Sequence, residues 1–309
     1  MAVTAKWYTK AFVNAFGGDT AGEQPIIDLL SDSIKVMLCT SSYSPNRDTH
    51  EFKSHITNEV TGTGYDAGGA TLGTKTLVVS SSSMKFDAAD TQWAGSTITA
   101  RYAVIYDDSP STDATKPLLG YIDFGTNMAS SGTTFKIAWH ADGILRVDPE
   151  ASLGTIPTRW YTQAFVNAFG TSSSAGAPLF DYLSDDIKVM LCTSTYSPDR
   201  NGHDFRDHVS AYEIPPGGNY VTGGVMLGGK SIIVDQNSHS VKFDADDTQW
   251  TNSTITGARY AIIYNDSPSG NNEKPLLGYI DFVTDRSSNG TTFKISWDST
   301  GLLRINPEV

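Results

Sequence analysis

Ile34-Lys35-Val36-Met37-Leu38-Cys39-Thr40 returns letter for letter as Ile187-Lys188-Val189-Met190-Leu191-Cys192-Thr193. A short, nearly uninterrupted apolar run of this length reads as a buried β-strand. Working outward, Pro117-Leu118-Leu119-Gly120-Tyr121-Ile122-Asp123-Phe124 returns as Pro275 to Phe282, and the whole stretch from Trp7 to Glu150 recurs as Trp160 to Glu308. The chain of 309 residues is therefore a tandem repetition. Its units of about 150 residues have a common domain size, and the period is far too long for a solenoid or propeller. The expected division is a first β-rich repeat over 1–150 and a second over 151–309. The linker, about 148–158, carries Pro149, Gly154 and Pro157. It is short enough to keep the units as near neighbours.

Both copies open on a helical stripe: Trp7, Tyr8, Ala11, Phe12, Ala15 and Phe16 before Gly17, then Trp160, Tyr161, Ala164, Phe165, Ala168 and Phe169 before Gly170. Such a stripe requires an apolar surface to cover it. A Gly/Ser/Ala segment follows, with a short helical turn expected at Ile26–Leu30 and at Leu179–Leu183. After Tyr43-Ser44-Pro45, a turn signal, the polar stretch His50–Val60 reads as a loop or one irregular helix. From Tyr65 onward the pattern is β: strands are predicted at Thr76–Ser80, Ser83–Phe86, Thr97–Tyr106, Leu118–Phe124, Thr133–Trp139 and Ile144–Val147. Ala141-Asp142-Gly143 sits between two of them as a hairpin turn would, with Ser299-Thr300-Gly301 as its counterpart. The fold class is mainly β, two tandem antiparallel sandwich- or barrel-like domains, each with a short N-terminal helix. The offset between matching residues widens from Cys39/Cys192 to Tyr106/Tyr264, which places small insertions in loops of the second copy.

Net charge is −12, and the 22 basic residues are scattered. A phosphate-binding surface needs clustered Lys and Arg, so nucleic acid is not an expected partner. The two cysteines, Cys39 and Cys192, occupy one position in the two copies and read as small buried hydrophobes, with no thiol framework. The stretch Met1 to Trp7 lacks the apolar core of a signal peptide, and no run approaches a membrane span. The expectation is a soluble chain made in a cytoplasm, with no membrane partner.

Several motifs invite chemistry. Gly224-Val225-Met226-Leu227-Gly228-Gly229-Lys230-Ser231 fits the phosphate-loop pattern, but that mechanism needs a helix after the loop, and the β-branched Ile232-Ile233-Val234 follows. The first copy reads Gly69 to Thr76 with Thr74 breaking the pattern, so a glycine-rich turn entering a strand is expected. Asp87-Ala88-Ala89-Asp90 and Asp244-Ala245-Asp246-Asp247 supply too few ligands in no EF-hand spacing for Ca²⁺, and are expected to bond local amides. His50 and His55 recur as His203 and His208; a separation of five puts them on different sides of a helix, and no further ligand completes a zinc set. His140 becomes Asp298 and His239 has no counterpart, so neither serves both copies. No Gly-x-Ser-x-Gly elbow is present. Arg101 and Arg259, inside apolar strands, are expected to pair with Asp123 and Asp281. Trp7, Trp93 and Trp139 all recur, as core, interface or sugar-stacking rings. No catalytic, cofactor-binding or metal residues are assigned, and no residues are assigned to partner binding.

Taken together, Lys6-Trp7-Tyr8, Ile34–Thr40 with Tyr43-Ser44-Pro45, Gly62-Thr63-Gly64-Tyr65 with Gly68-Gly69, Thr97–Tyr106, Pro117–Phe124 and Phe135-Lys136-Ile137-Ala138-Trp139 with Gly143-Ile144-Leu145 resemble a family of small virion proteins of tailed bacteriophages, here present twice. The second copy departs from the pattern at Glu213–Asn219. The resemblance implies a non-enzymatic virion structural protein without cofactors. Its expected role is capsid decoration or cement on the outer head lattice, with the major capsid protein as partner and self-association on the capsid. The expected location is the virion surface after synthesis in the bacterial cytoplasm. A tail, baseplate or fibre component is the alternative, and a carbohydrate-binding attachment module the second.

Overall fold

The computed structural model describes residues 2–3, 5–17, 27–149, 157–170 and 181–306. Most of the linker and of the two Gly/Ser/Ala segments lies outside the described residues, as do Ile26, Leu179 and Phe180. The chain is mainly β, 49% strand and 9% helix, in several antiparallel sheets, and among the described residues no barrel closes. In the first copy the elements are β1 (Ala2–Val3), β2 (Lys6–Trp7), α1 (Lys10–Phe16), β3 (Ile34–Cys39), β4 (Ala70–Thr71), β5 (Thr76–Ser80), β6 (Ser83–Asp87), β7 (Thr91–Asp107), β8 (Leu118–Trp139) and β9 (Leu145–Val147). The second copy repeats the plan with β10 (Thr158–Trp160), α2 (Gln163–Phe169), β11 (Ile187–Cys192), α3 (Asp207–Ser210), β12 (Val225–Met226), β13 (Ser231–Asp235), β14 (Ser240–Asp244), β15 (Thr248–Asn265), β16 (Leu276–Ile295) and β17 (Leu303–Ile305).

A large sheet runs β1-β8-β7-β3-β4, with β2 also on β8, and its counterpart runs β10-β16-β15-β11-β12. A small sheet, β5-β6-β9, is matched by β13-β14-β17. The repeated apolar run explains itself here. Val36 and Leu38 of β3 face the main core, while Met37 and Cys39 face a second cluster with Tyr8, Tyr43, Val104 and Tyr106 on the opposite side. A strand covered on both faces has no side to leave polar.

Four expectations differ in the structure. The predicted strands Leu118–Phe124 and Thr133–Trp139 are one strand, β8, and β7 starts at Thr91 instead of Thr97. Ala141-Asp142-Gly143 is not a hairpin turn: β9 pairs with β6 and not with β8. Gly143, at φ 99°, carries the chain from the large sheet to the small one, and Gly301 at φ 105° does the same for β17. Trp7 belongs to β2, so the helix begins only at Lys10.

The helices cross between the copies. Phe16 packs on Trp160, Phe165 and Phe243 of the second copy at centroid distances of 5.5, 5.5 and 5.2 Å. Reciprocally, Phe169 packs on Trp7 at 5.2 Å and on Phe12 at 5.5 Å. Backbone bonds seal the exchange: the Tyr182 amide donates to the Phe16 carbonyl at 2.5 Å and the Leu29 amide to the Phe169 carbonyl at 2.7 Å. The main cluster of buried residues is continuous across both copies and includes α1, α2 and all four sheets. Truncating a buried phenylalanine in such a core costs about 3–5 kcal/mol. Phe16→Ala and Phe169→Ala are each expected to lower the unfolding free energy of the whole chain by that amount, and with it the denaturant midpoint, measured by tryptophan fluorescence and far-UV circular dichroism together. The two signals are expected to shift in step.

Candidate functional site: the faces repeated in both copies

The second cluster on the large sheet ends in a chain of polar rings. Tyr8 and Tyr43 share a hydroxyl hydrogen bond of 2.8 Å, and Tyr43 meets His50 Nδ1 at 3.1 Å. His50 stacks on His55 with ring centroids 5.6 Å apart. The second copy repeats every link: Tyr161 to Tyr196 at 2.7 Å, Tyr196 to His203 Nδ1 at 2.8 Å, and His203 stacked on His208 at 5.2 Å. The sequence reading put these histidines on different sides of a helix. Instead the backbone between His50 and His55 is irregular, with only a 3-10 turn at Lys53–His55, and the rings lie face to face. Burial and the adjacent His55 lower the pKa of His50, and burial and His208 lower that of His203. Burial pushes the Tyr43 phenol up to about 12. A neutral imidazole and a protonated phenol form a positioning chain that fixes the loop to the sheet.

The long ribbon of β7 and β8 is exposed over most of residues 123–134. Its register passes from Tyr102 opposite Asp123 to Ala100 opposite Met128, so residues 124–127 loop out. The second copy does the same between Tyr260–Asp281 and Ala258–Arg286. The predicted arginine pairs clamp these bulges. Arg101 bonds Asp123 at 2.5 Å and Arg259 bonds Asp281 at 2.6 Å. The same carboxylates accept the amides of Gly125 at 2.8 Å and Val283 at 2.7 Å. Both pairs are partly solvated, so they fix geometry more than they add stability. Phe124 and Phe282 fold back onto Phe135 and Phe293, each at 6.0 Å. The bulge tips point outward. Gly125 holds φ 77°, which glycine adopts without cost. Val283 holds φ 67° at the matching point and is 66% exposed. A β-branched residue in the left-handed region is strained.

The small sheets carry a matching shallow groove in each copy, about 410 Å³ along Val78, Ser83, Lys85 and Arg146, and about 330 Å³ along Ile233, Ser240, Lys242 and Arg304. Their cations are already engaged. Lys85 bonds the Ala141 carbonyl at 2.9 Å and Arg146 bonds Asp148 at 2.9 Å; Lys242 bonds the Ser299 carbonyl at 3.1 Å and Asp244 at 2.8 Å. A third groove of about 450 Å³ lies between the copies, where His239 Nδ1 meets Asp48 Oδ2 at 2.6 Å. His239 stands in the turn between β13 and β14, which is longer than the Ser81-Ser82 turn of the first copy. That insertion explains why the contact exists on one side.

The remaining motifs resolve into structure. Lys230 of the phosphate-loop pattern bonds the Asp185 carbonyl, and β13 follows it where the nucleotide mechanism needs a helix. In the acidic turns, Asp90 accepts the Trp139 amide at 3.0 Å and pairs with Lys136 at 2.8 Å; Asp247 accepts the Trp297 amide at 3.0 Å and pairs with Lys294 at 2.7 Å. Among the described residues, no three His, Cys, Asp or Glu side chains converge as a metal ion requires, and no helix is long and apolar enough to cross a membrane. Cys39 and Cys192 are buried and free. Burial raises both thiols, Cys39 to about 12, which suppresses the reactive thiolate. His140 is an exposed turn residue beside Asp142 at 3.2 Å.

Sequence reasoning missed Glu59 and Glu213. Glu59 accepts the Tyr65 hydroxyl at 2.9 Å and the Gly68 amide at 2.6 Å, while Tyr65 accepts the Leu38 amide at 3.0 Å. Glu213 repeats this with Tyr220, Gly223 and Leu191. Their recurrence beside Gly-rich turns was the available signal. Of the repeated polar chains, the tyrosine link is the most exposed to test. Tyr43→Phe leaves Tyr8 and His50 without their shared partner, and is expected to cost about 1–3 kcal/mol in urea unfolding while the far-UV spectrum stays unchanged. No protein-family model, curated protein or solved structure matches this chain.

Proposed function

We propose that the chain is a non-enzymatic structural protein of a tailed-phage virion that decorates the head, binding the outer lattice of the major capsid protein and stabilising the shell. The observation that carries this reading is the presentation of the same bulged ribbon twice from one continuous core. A lattice offers its partner the same surface again and again. A chain with two matched faces converts the second contact into an intramolecular one, which raises avidity by about 10²–10⁴. The net charge of −12 adds a reason for such a protein to stay off the packaged genome.

The glycan-module reading loses its main support. Trp7, Trp93, Trp139, Trp160 and Trp250 are buried and Trp297 is partly buried, so the recurring tryptophans do not present exposed rings at matching positions of both copies. An exposed valine held in a strained backbone is a better pointer to contact. Strain at an exposed position persists where the surroundings enforce it, and such sites cluster at functional surfaces.

Two measurements test the proposal. Image reconstruction of the particle is expected to place this chain at repeated positions on the head; density confined to the tail overturns the decoration role. Val283→Gly copies the residue of the first copy and relieves about 1–2 kcal/mol of backbone strain. The variant is expected to be at least as stable to urea yet to bind purified heads several-fold more weakly. Unchanged head binding removes Val283 from the contact.

A further inference from the structure

A buried carboxyl, Asp107, faces a half-buried one, Asp32, beneath the turn at residues 28–32. Asp107, the last residue of β7, is fully buried. Its Oδ1 accepts the Ser109 amide at 2.8 Å, and its Oδ2 has no hydrogen-bond partner. In the second copy Asn265 stands at the same register position, opposite Ile187 as Asp107 is opposite Ile34. Asn265 Oδ1 accepts the Ser267 amide at 2.9 Å, and Asn265 Nδ2 donates to Asp185 Oδ2 at 2.7 Å. The counterpart of Asp185 is Asp32: each accepts the amide four residues back, Asp28 at 2.6 Å and Asp181 at 2.7 Å. Asp107 Oδ2 therefore stands where the second copy has an N–H donor, facing an acceptor. Two ionised carboxylates cannot bond each other; one proton between them restores the hydrogen bond that asparagine makes.

We propose that Asp107 keeps a proton at and below neutral pH and donates it to Asp32, so that the first copy has a pH-sensitive joint which the second copy, with Asn265, lacks. Among the described residues, the charged groups that face this pair are Asp28 on the same turn and Lys75, whose Nζ bonds the Asp32 carbonyl. Ser109 supplies the amide noted above. The neighbouring Asp108 is held separately by Lys35 at 2.5 Å and Lys116 at 2.7 Å. Among the described residues one cation, Lys75, serves a pocket with several carboxyls, which favours one shared proton over full ionisation. Burial and the facing Asp32 hold the Asp107 carboxyl up at about 7, and burial also raises Asp32.

The joint lies where the copies are tied. Leu29, within the turn, donates its amide to Phe169 of the second copy at 2.7 Å. A second negative charge under this turn weakens that tie, while the equivalent bond from Tyr182 to Phe16 rests on the pH-insensitive Asn265 side. The sign follows from the raised folded-state value. The unfolded aspartate loses its proton near pH 4, so the stabilisation is complete below about pH 4 and is lost as pH rises through about 7.

The test is urea unfolding of the full chain from pH 5 to 8.5. Up to about pH 7, the unfolding constant of the native chain is expected to rise by up to about ten-fold per pH unit relative to Asp107→Asn. Asn265→Asp installs the acid pair in the second copy and is expected to steepen the slope again. Parallel pH profiles for the native chain and Asp107→Asn, or an unchanged slope in Asn265→Asp, overturn the proposal. Should Asp107→Asn fail to fold, carbon-13 titration of the native chain decides: an Asp107 carboxyl titrating near 7 supports the shared proton, and one fully ionised by pH 5 contradicts it.

Discussion

The packing of Phe16 and Phe169 into the opposite copy is the contact on which the rest of the structure depends. Both helices are only seven residues long, and neither has a side-chain cap at its N-terminus. Helices this short do not hold themselves together in water. They persist because Ala11, Phe12, Ala15 and Phe16, and their counterparts, are buried against aromatic rings of both copies. The small sheets depend on the same exchange. Phe243 of β14 is covered by Phe16, and Gly170 after α2 lies close against the Leu77 side chain of β5.

A shared core changes what a tandem repetition can do. Residues that meet across the copies must keep their fit, whereas residues on one side can drift. The buried relay from Tyr8 to His50 and the Glu59 clamp are kept in both copies, as the cost of an unpaired buried polar group requires. Divergence falls where the geometry leaves room. Asp107 becomes Asn265 without moving its neighbours' bonds, Gly125 becomes the strained Val283, and an extended turn lets His239 reach Asp48.

Much of the strand pattern was legible because it is local. Thr76–Ser80 is β5 as predicted, and the apolar run Ile34–Thr40 gives β3, ending one residue earlier at Cys39. What the sequence concealed is non-local. Nothing in Phe135–Val147 says that the chain leaves one sheet for another at Gly143, because alternation reports which faces are buried and not which strand is the neighbour. The bulges hid for a similar reason: residues 125–132 read as a break, yet β8 continues through them, paired with β7 around four looped-out residues. The apolar stripe on α1 announced a need for cover, but a helix on its own sheet and one lodged in the neighbouring copy share the same periodicity. The arginine pairs were readable, since a guanidinium in an apolar strand requires a nearby carboxylate. The stacked histidines were not, because their geometry comes from an irregular loop.

Scanning calorimetry of the intact chain addresses the exchange of helices most directly. If the two copies are held by one core, they unfold together, and the calorimetric enthalpy equals the van't Hoff enthalpy of a single transition. A calorimetric enthalpy near twice the van't Hoff value, or two resolved transitions, contradicts the account, because each copy would then melt on its own.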